Sequence, residues 1–270
     1  MRKNEKETVK KMLLLVCVFW ALSGSMLEAD LIAYWAMDET AGATEAVDSI
    51  GIANAIAAAS GDNPVAGAAG MFGNAWSFSG SDDNRLHIDP PNQAAFTTLG
   101  YSGFSYSGWV NSTDGATDTI FSISDAAAGS EEAALRIVSN QLNFLGRHNT
   151  NDNVDITSQQ TLNLGQWYHV AVASDLSGTV LYLDGNEVAS SPYGVDIATF
   201  TTNDNNVSVN FGANNDNGTG LQWEYAGLID EFRVYDHKLS VSEVESLAVP
   251  EPTTMSLIGI GAILLIRKKK

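Results

Sequence analysis

Residues 166–189 read QWYHVAVASDLSGTVLYLDGNEVA, and the fold follows from how this stretch alternates. Trp167 to Ala173 and Thr179 to Leu183 are runs of β-branched and aromatic residues, separated by the turn-forming Ser174-Asp175-Leu176-Ser177-Gly178. They read as adjacent antiparallel strands at the centre of a sheet. Asp184-Gly185 then offers the backbone freedom for a tight reversal into a third short strand, Glu187 to Ala189.

Further strands extend from this hairpin in both directions. Leu31 to Met37, Ala75 to Ser79, Leu86 to Ile88, Phe104 to Val110, Thr119 to Ser124, Ala133 to Ser139, Gln141 to Leu145, Val207 to Gly212 and Gly227 to Tyr235 are short runs with turn residues between them. Ala43 to Gly70 is rich in small residues but broken by glycines and by Asn54, Asp62 and Asn63, so it reads as a long, loose connection with at most one short strand. Ser240-Val241-Ser242-Glu243 matches a helix capping box, which predicts a helix over Val241 to Leu247 with Val244 and Leu247 packed on the sheet edge. Trp35, Trp76, Trp109 and Trp167 fall in alternating strands and are expected in the core.

The two ends of the chain carry addresses rather than fold. Arg2, Lys3, Lys6, Lys10 and Lys11 precede the apolar run Met12 to Leu22, the pattern of a secretory signal peptide closing near Ala29. Cys17 is the only cysteine and lies inside that run, so a mature chain contains no thiol. At the other end, Pro250-Glu251-Pro252 is followed by an apolar stretch from Thr253 to Ile266 and then by Arg267, Lys268, Lys269 and Lys270. Fourteen residues rising about 1.5 Å each fall short of a hydrocarbon core of about 30 Å, so this reads as a thin transmembrane helix that anchors transiently. The expected division is therefore a signal peptide over 1–29, one domain over 30–248 and a sorting segment over 249–270. Between the signals stand five basic residues, Arg85, Arg136, Arg147, Arg233 and Lys238, against 28 acidic ones, a formal charge of −23. Such a surface repels phosphate backbones and excludes nucleic acid as a partner.

These pieces resemble known families. Pro-Glu-Pro, apolar helix and basic terminus together resemble the PEP-CTERM sorting signal of Gram-negative bacteria. That resemblance implies export, transient anchoring in the inner membrane, and processing by signal peptidase and exosortase. The blocks LIAYWAMDETAG, GNAWSFSGSDDNRLHI, FSYSGWV, LGQWYHVAVASDLSGTVLYLDGNEV and GLIDEFRVYDHKLSVSEVESL resemble LamG-like domains of the concanavalin A-like lectin/glucanase superfamily. The fold implied is an all-β, two-sheet antiparallel jelly-roll sandwich with a short C-terminal helix. Members of that family bind glycans, proteins or calcium, and some relatives cleave polysaccharides.

A hydrolase of this fold needs two carboxylates flanking the scissile bond, and laminarinase-type relatives carry theirs as Glu-x-Asp-x-x-Glu on one strand. The sequence has no such triplet: Glu131-Glu132 and Glu243-x-Glu245 are wrongly spaced, and Asp230 and Glu231 are adjacent on a strand and face opposite ways. The expectation is a non-catalytic domain. His169 reads as a packed histidine with its ring nitrogens hydrogen-bonded. By resemblance, one structural calcium ion would take Asp230, with Asp38, Asp48 and the Gly51 carbonyl as partners; the same residues can instead cap turns. For a ligand, Trp223 and Tyr225 follow the polar Asn214–Gly218 loop that holds Asn215 and Asp216, and Asn151 and Asp152 lie in another polar loop. An aromatic ring beside amides and carboxylates suits a sugar. The expected partner is an extracellular polysaccharide in an exopolysaccharide or biofilm setting, or else a surface protein, met at the cell surface or in the matrix.

Overall fold

The computed structural model describes residues 31–249 except 52, 58–61, 94, 97–98, 100–102, 126–131, 148–153, 198–206 and 216–220. In chain order the strands are β1 (Leu31–Trp35), β2 (Glu45–Ala46), β3 (Ala55–Ala57), β4 (Val65–Ala69), β5 (Asn74–Ser79), β6 (Leu86–Ile88), β7 (Phe104–Ser112), β8 (Thr117–Asp125), β9 (Glu132–Val138) and β10 (Gln141–Arg147). They continue as β11 (Val154–Thr161), β12 (Tyr168–Asp175), β13 (Gly178–Leu183), β14 (Asn186–Ser191), β15 (Val207–Phe211) and β16 (Ala226–Tyr235), and one helix, α1 (Val241–Leu247), follows. Two antiparallel sheets result. Sheet A runs β14-β13-β12-β7-β16-β5-β4 with β1 also paired to β16, and sheet B runs β11-β10-β9-β8-β15-β6-β3-β2.

The quoted hairpin folds as its turn chemistry requires. Asp184 (φ 49°) and Gly185 (φ 78°) both take positive φ, the twist that lets two residues link right-handed strands. The β12–β13 turn is tighter than the sequence suggests, because Ser174 and Asp175 stay paired, to Thr179 and Gly178. The hairpin is a wing of sheet A, not its centre. β7 and β16 occupy the middle, and β14 is an edge.

Between the sheets the alternating large residues interlock. The Trp35 ring stacks on Phe96 (6.3 Å, 12°) and meets Phe211 edge-on at 4.9 Å, while Phe121 lies 4.8 Å from Phe232 and 4.9 Å from Tyr106. Such ring pairs add about 0.5–1.5 kcal/mol each beyond the apolar area they remove from water. Trp35 pays no polar penalty, since its Nε1–H donates to the Ala53 carbonyl at 2.8 Å. Trp76 is equally buried, with Nε1–H donating to Glu39 Oε2 at 2.7 Å. Trp109 is buried but on the outer side of sheet A, edge-on to Phe72, and Trp167 is only partly buried because Tyr168 takes the inward position.

Three further expectations change. The Ala43–Gly70 connection contains β2, β3 and β4, whose alanines alternate too weakly to be seen until β5 and β6 pair with them. β11 was not anticipated, because only Val154, Ile156 and Ser158 face inward along a polar segment. Helix α1 has the expected capping box, yet Val244 packs against Ala171, Ala173, Tyr182 and Tyr235, on the outer face of sheet A and not on its edge. Among the described residues no helix is long and apolar enough to cross a membrane. The signal peptide, the sorting motif Pro250-Glu251-Pro252 and the apolar stretch beyond it lie outside the described residues.

His169 is packed as expected, 1% exposed, edge-on to Trp109 at 5.4 Å. Its Nε2 shares a 2.9 Å hydrogen bond with the Ser107 hydroxyl, but Nδ1 has no hydrogen-bond partner among the described residues. Burial, aided by the Arg233 charge, lowers its pKa to about 3. The folded state therefore holds His169 neutral while the unfolded chain protonates it below about pH 6.5, so this stability is complete above that pH and is lost as pH falls toward 3. Thermal melts from pH 6.5 to 5 should show the Tm advantage of the wild type over His169→Gln shrinking as pH falls, a comparison in which the other titrating groups cancel.

Candidate functional site

The outer face of sheet B carries polar residues that are buried without belonging to the core. In β9 and β10 the alternation that sends Leu135, Ile137, Leu142 and Phe144 inward sends Glu132, Arg136, Asn143 and Arg147 outward. The register aligns these into rows across the sheet. Thr119, Arg136, Asn143 and Thr157 form one, and Ser124, Glu132 and Arg147 another. Arg136 donates from Nε (2.9 Å) and Nη2 (2.8 Å) to Asn143 Oδ1, and Asn143 Nδ2 donates to Asp155 Oδ1 (2.7 Å) and Thr157 Oγ1 (2.8 Å). Glu132, fully buried, is paired to Arg147 Nη1 at 3.1 Å through one oxygen and accepts from Asn214 Nδ2 through the other. On the far side Arg85 Nη1 donates to Asn210 Oδ1 at 2.8 Å. Three of the five cations between the two signals thus lie on one face of an otherwise acidic domain.

A short excursion after β15 forms the rim. Asn214 and Gln222 exchange backbone hydrogen bonds, the Ser122 hydroxyl donates to Ala213 O and the Ser124 hydroxyl to Asn215 O. The return places Trp223 over the sheet, with the Arg136 guanidinium 5.2 Å from its ring centroid. Trp223 has φ 56°, a left-handed backbone that costs a bulky residue on the order of 1–3 kcal/mol, and it is held there by Thr119 N–H donating to its carbonyl at 2.7 Å. Beneath this return, Asp118 is 2% exposed and its pKa is raised to about 8, first by burial, then by its hydrogen bond to Asp114 and the charges of Asp114 and Glu224.

Of the residues expected to bind a ligand, Trp223 is on this face and Asn215 contributes its carbonyl to the rim. Tyr225 is not: its side chain is fully buried, edge-on to Phe78 at 6.1 Å, with its hydroxyl donating to Leu228 O. Asn151, Asp152 and Asp216 lie outside the described residues, although the 148–153 segment starts next to Arg147. Arg136, Asn143, Glu132, Arg147 and Asn210 were missed, and the signal that could have found them is the polar residue standing at every second position of apolar strands.

The expected calcium ligands fall into two groups. Asp48 closes its own turn: Oδ1 accepts from Tyr34 N–H and Ile50 N–H at 3.0 Å, and Oδ2 from Gly51 N–H (3.0 Å) and Ala53 N–H (3.2 Å). With four donors satisfied it fits a turn cap better than a metal ligand, and Gly51 is part of that cap. Asp38 and Asp230 instead both bond the turn joining β4 and β5, where Asp38 Oδ1 accepts from Asn74 N–H (2.7 Å) and Asp230 Oδ2 from Phe72 N–H (2.9 Å). Asp230 is fully buried, its Oδ1 has no hydrogen-bond partner among the described residues, and its pKa is raised to about 7 by burial, with the charges of Glu231 and Asp38 adding to the rise. This pair fits a hard cation, although among the described residues no three acidic, histidine or cysteine side chains are gathered for one.

The sandwich is similar to solved structures. Domain 4 of AbnA, a GH43 extracellular arabinanase from Geobacillus stearothermophilus solved with arabinotriose, is 23% identical, with 82% of this chain and 98% of that one covered and a TM-score of 0.63. The CBM40 of the Ruminococcus gnavus IT-sialidase, bound to α2,3 sialyllactose, is 16% identical over 65% of this chain and 96% of that one, with a TM-score of 0.54. At these identities the likeness is one of fold. No curated protein sequence matches the chain. The PEP-CTERM protein-sorting motif matches residues 248–270, which marks the protein for export and exosortase-dependent sorting to the surface. The family profile matches residues 80–245, more than half of the chain, and with the two-sheet architecture it shows that the chain belongs to the concanavalin A-like lectin/glucanases superfamily.

Proposed function

We propose that the protein is a non-catalytic surface or matrix component that binds carbohydrate through the outer face of sheet B, in the exopolysaccharide or biofilm of a Gram-negative bacterium. Transient anchoring in the inner membrane by the 253–266 stretch would precede its release to that site. The observation that carries the reading is the Arg136–Asn143–Asp155 array under the half-buried Trp223 ring. Buried polar side chains are expensive unless hydrogen-bonded, and the bonds within this array hold amide, guanidinium and carboxylate groups in place on an outer face, where such groups suit the paired hydroxyls of a sugar whose apolar face stacks on an indole. Hydrolysis would need one of two facing carboxylates free to act as an acid. Here Glu132 is engaged by Arg147 and Asn214, Asp155 by Asn143, and the raised carboxyl of Asp118 by Asp114, so each is disposed to hold its neighbours in place. The arabinanase and sialidase modules of similar fold were solved with oligosaccharides, which is consistent with this reading.

A second reading concerns a cation. The orphaned, buried Asp230 Oδ1 near Asp38 favours one structural calcium at the β4–β5 turn, tying β16 to the first strands and acting on stability alone.

Affinity electrophoresis against a polysaccharide panel should show retardation by at least one glycan. Trp223→Ala should weaken that binding at least tenfold with little change in Tm. Retardation by none of the panel would favour a protein-adhesive role, and release of reducing sugar a hydrolase. Calcium at millimolar concentration should raise Tm by several degrees after chelator treatment, an effect absent in Asp230→Asn; equal melting with and without the ion would remove the cation.

A further inference from the structure

The outer face of sheet A, on the opposite side of the sandwich, contains a cavity of about 260 Å³ beside the end of α1. Its aromatic walls come from three separate elements: Tyr34 in β1, Phe72 in the β4–β5 turn and Trp109 in β7. Phe72 and Trp109 meet edge-on at 6.1 Å, and the Arg233 guanidinium lies 4.2 Å from the Tyr34 ring centroid. Glu231 accepts from the Tyr34 hydroxyl at 2.8 Å and from Arg233 Nη2 at 2.5 Å, while Arg233 Nη1 donates to Glu231 O at 3.0 Å. The carboxylate is therefore neutralised within the wall, and two of the five guanidinium N–H groups are used there.

The remaining wall is the chain's own exit. Val249, the last described residue, lines the cavity, and Pro250-Glu251-Pro252 follows it directly in the sequence, with no linker residue between. Proline-rich segments dock on aromatic-lined surfaces because their backbone is already stiff and little entropy is lost on binding. A tether of zero residues makes such docking intramolecular, with the effective concentration that short linkers give. Donors remain for the motif's one acid, Glu251: among the described residues Arg233, though paired to Glu231, uses only two of its five N–H groups.

We propose that this cavity is the docking site of the chain's own Pro250–Glu251–Pro252 segment, the proline rings against Tyr34, Phe72 and Trp109 and the Glu251 carboxylate on Arg233. Folding of the sandwich then holds the sorting motif against the domain, and exosortase gains the motif only as it leaves the pocket. The proposal is independent of carbohydrate binding, which uses the other sheet.

The test is a photo-cross-link in the full-length chain, purified in detergent, with p-benzoylphenylalanine in place of Thr253 and the adducts mapped by mass spectrometry. Most adducts should fall on peptides carrying Tyr34, Phe72 or Trp109. A Pro250→Ser, Pro252→Ser pair, which leaves every described residue in place, should lower that yield at least fivefold. Phe72→Ser should do the same with its fold verified by circular dichroism. Adducts spread over other surfaces or found only on detergent, or a yield unchanged by the paired proline substitutions, would overturn the proposal.

Discussion

The pairing of β16 with three strands is the constraint on which the rest of the molecule depends. β7 runs along one edge of β16, while on the other edge β5 takes Ala226 to Ile229 and β1 takes Phe232 to Tyr235. Two strands can share one edge only if the ladder is interrupted, and the register of β16 against β7 shifts between Asp230 and Arg233 at that place. Glu231 adopts φ 54° there, a conformation that is rare outside glycine. The bulge releases Asp230 to hold the β4–β5 turn and Glu231 to meet Tyr34 of β1, so the first strands of the domain are fastened to the last by two consecutive acids.

That junction also explains why the sandwich can carry different chemistry on its two outer faces. With the main core closed between the sheets by interlocked aromatic rings, the two outer faces are left to different uses. Sheet A spends part of its outer face on α1, whose Val244 completes a small second cluster with Tyr182, Tyr235 and Leu239. Sheet B has no helix over it among the described residues and instead carries Glu132, Arg136, Asn143 and Asn210 at near-zero exposure. Such groups cost stability unless each finds partners, and here the rows of the sheet supply them pairwise. A network satisfied in this way is rigid, which is the condition for recognising a ligand without first ordering the site.

Fold alone does not assign an activity, since one jelly roll serves many sites. What distinguishes this chain is the distribution of its few cations, with Arg85, Arg136 and Arg147 on sheet B and Arg233 at the pocket on sheet A. In a domain of net charge −23 a random placement would leave them scattered as solvated surface groups; each is instead bonded to a polar side chain on an outer sheet face.

Local chemistry determined what the sequence by itself could tell. Asp184-Gly185 specifies a hairpin turn, Ser240 to Glu243 a helix start, the alternation of Ala75 to Ser79 a half-buried strand, and Pro250-Glu251-Pro252 with its basic terminus an export address; each depends on neighbours a few residues away. The alanine-rich strands before β5, the outward turn of Arg136 and Asn143, the burial of Tyr225 and the separation of Asp48 from Asp230 were decided only by the tertiary structure. Asn143 needs Asp155 on another strand, Tyr225 packs against the distant Phe78, and Asp48, though it takes three donors from its own turn, is tied to the first strand by Tyr34 N–H. Alternation tells which side of a strand a residue occupies, but only the pairing of strands says what waits on that side.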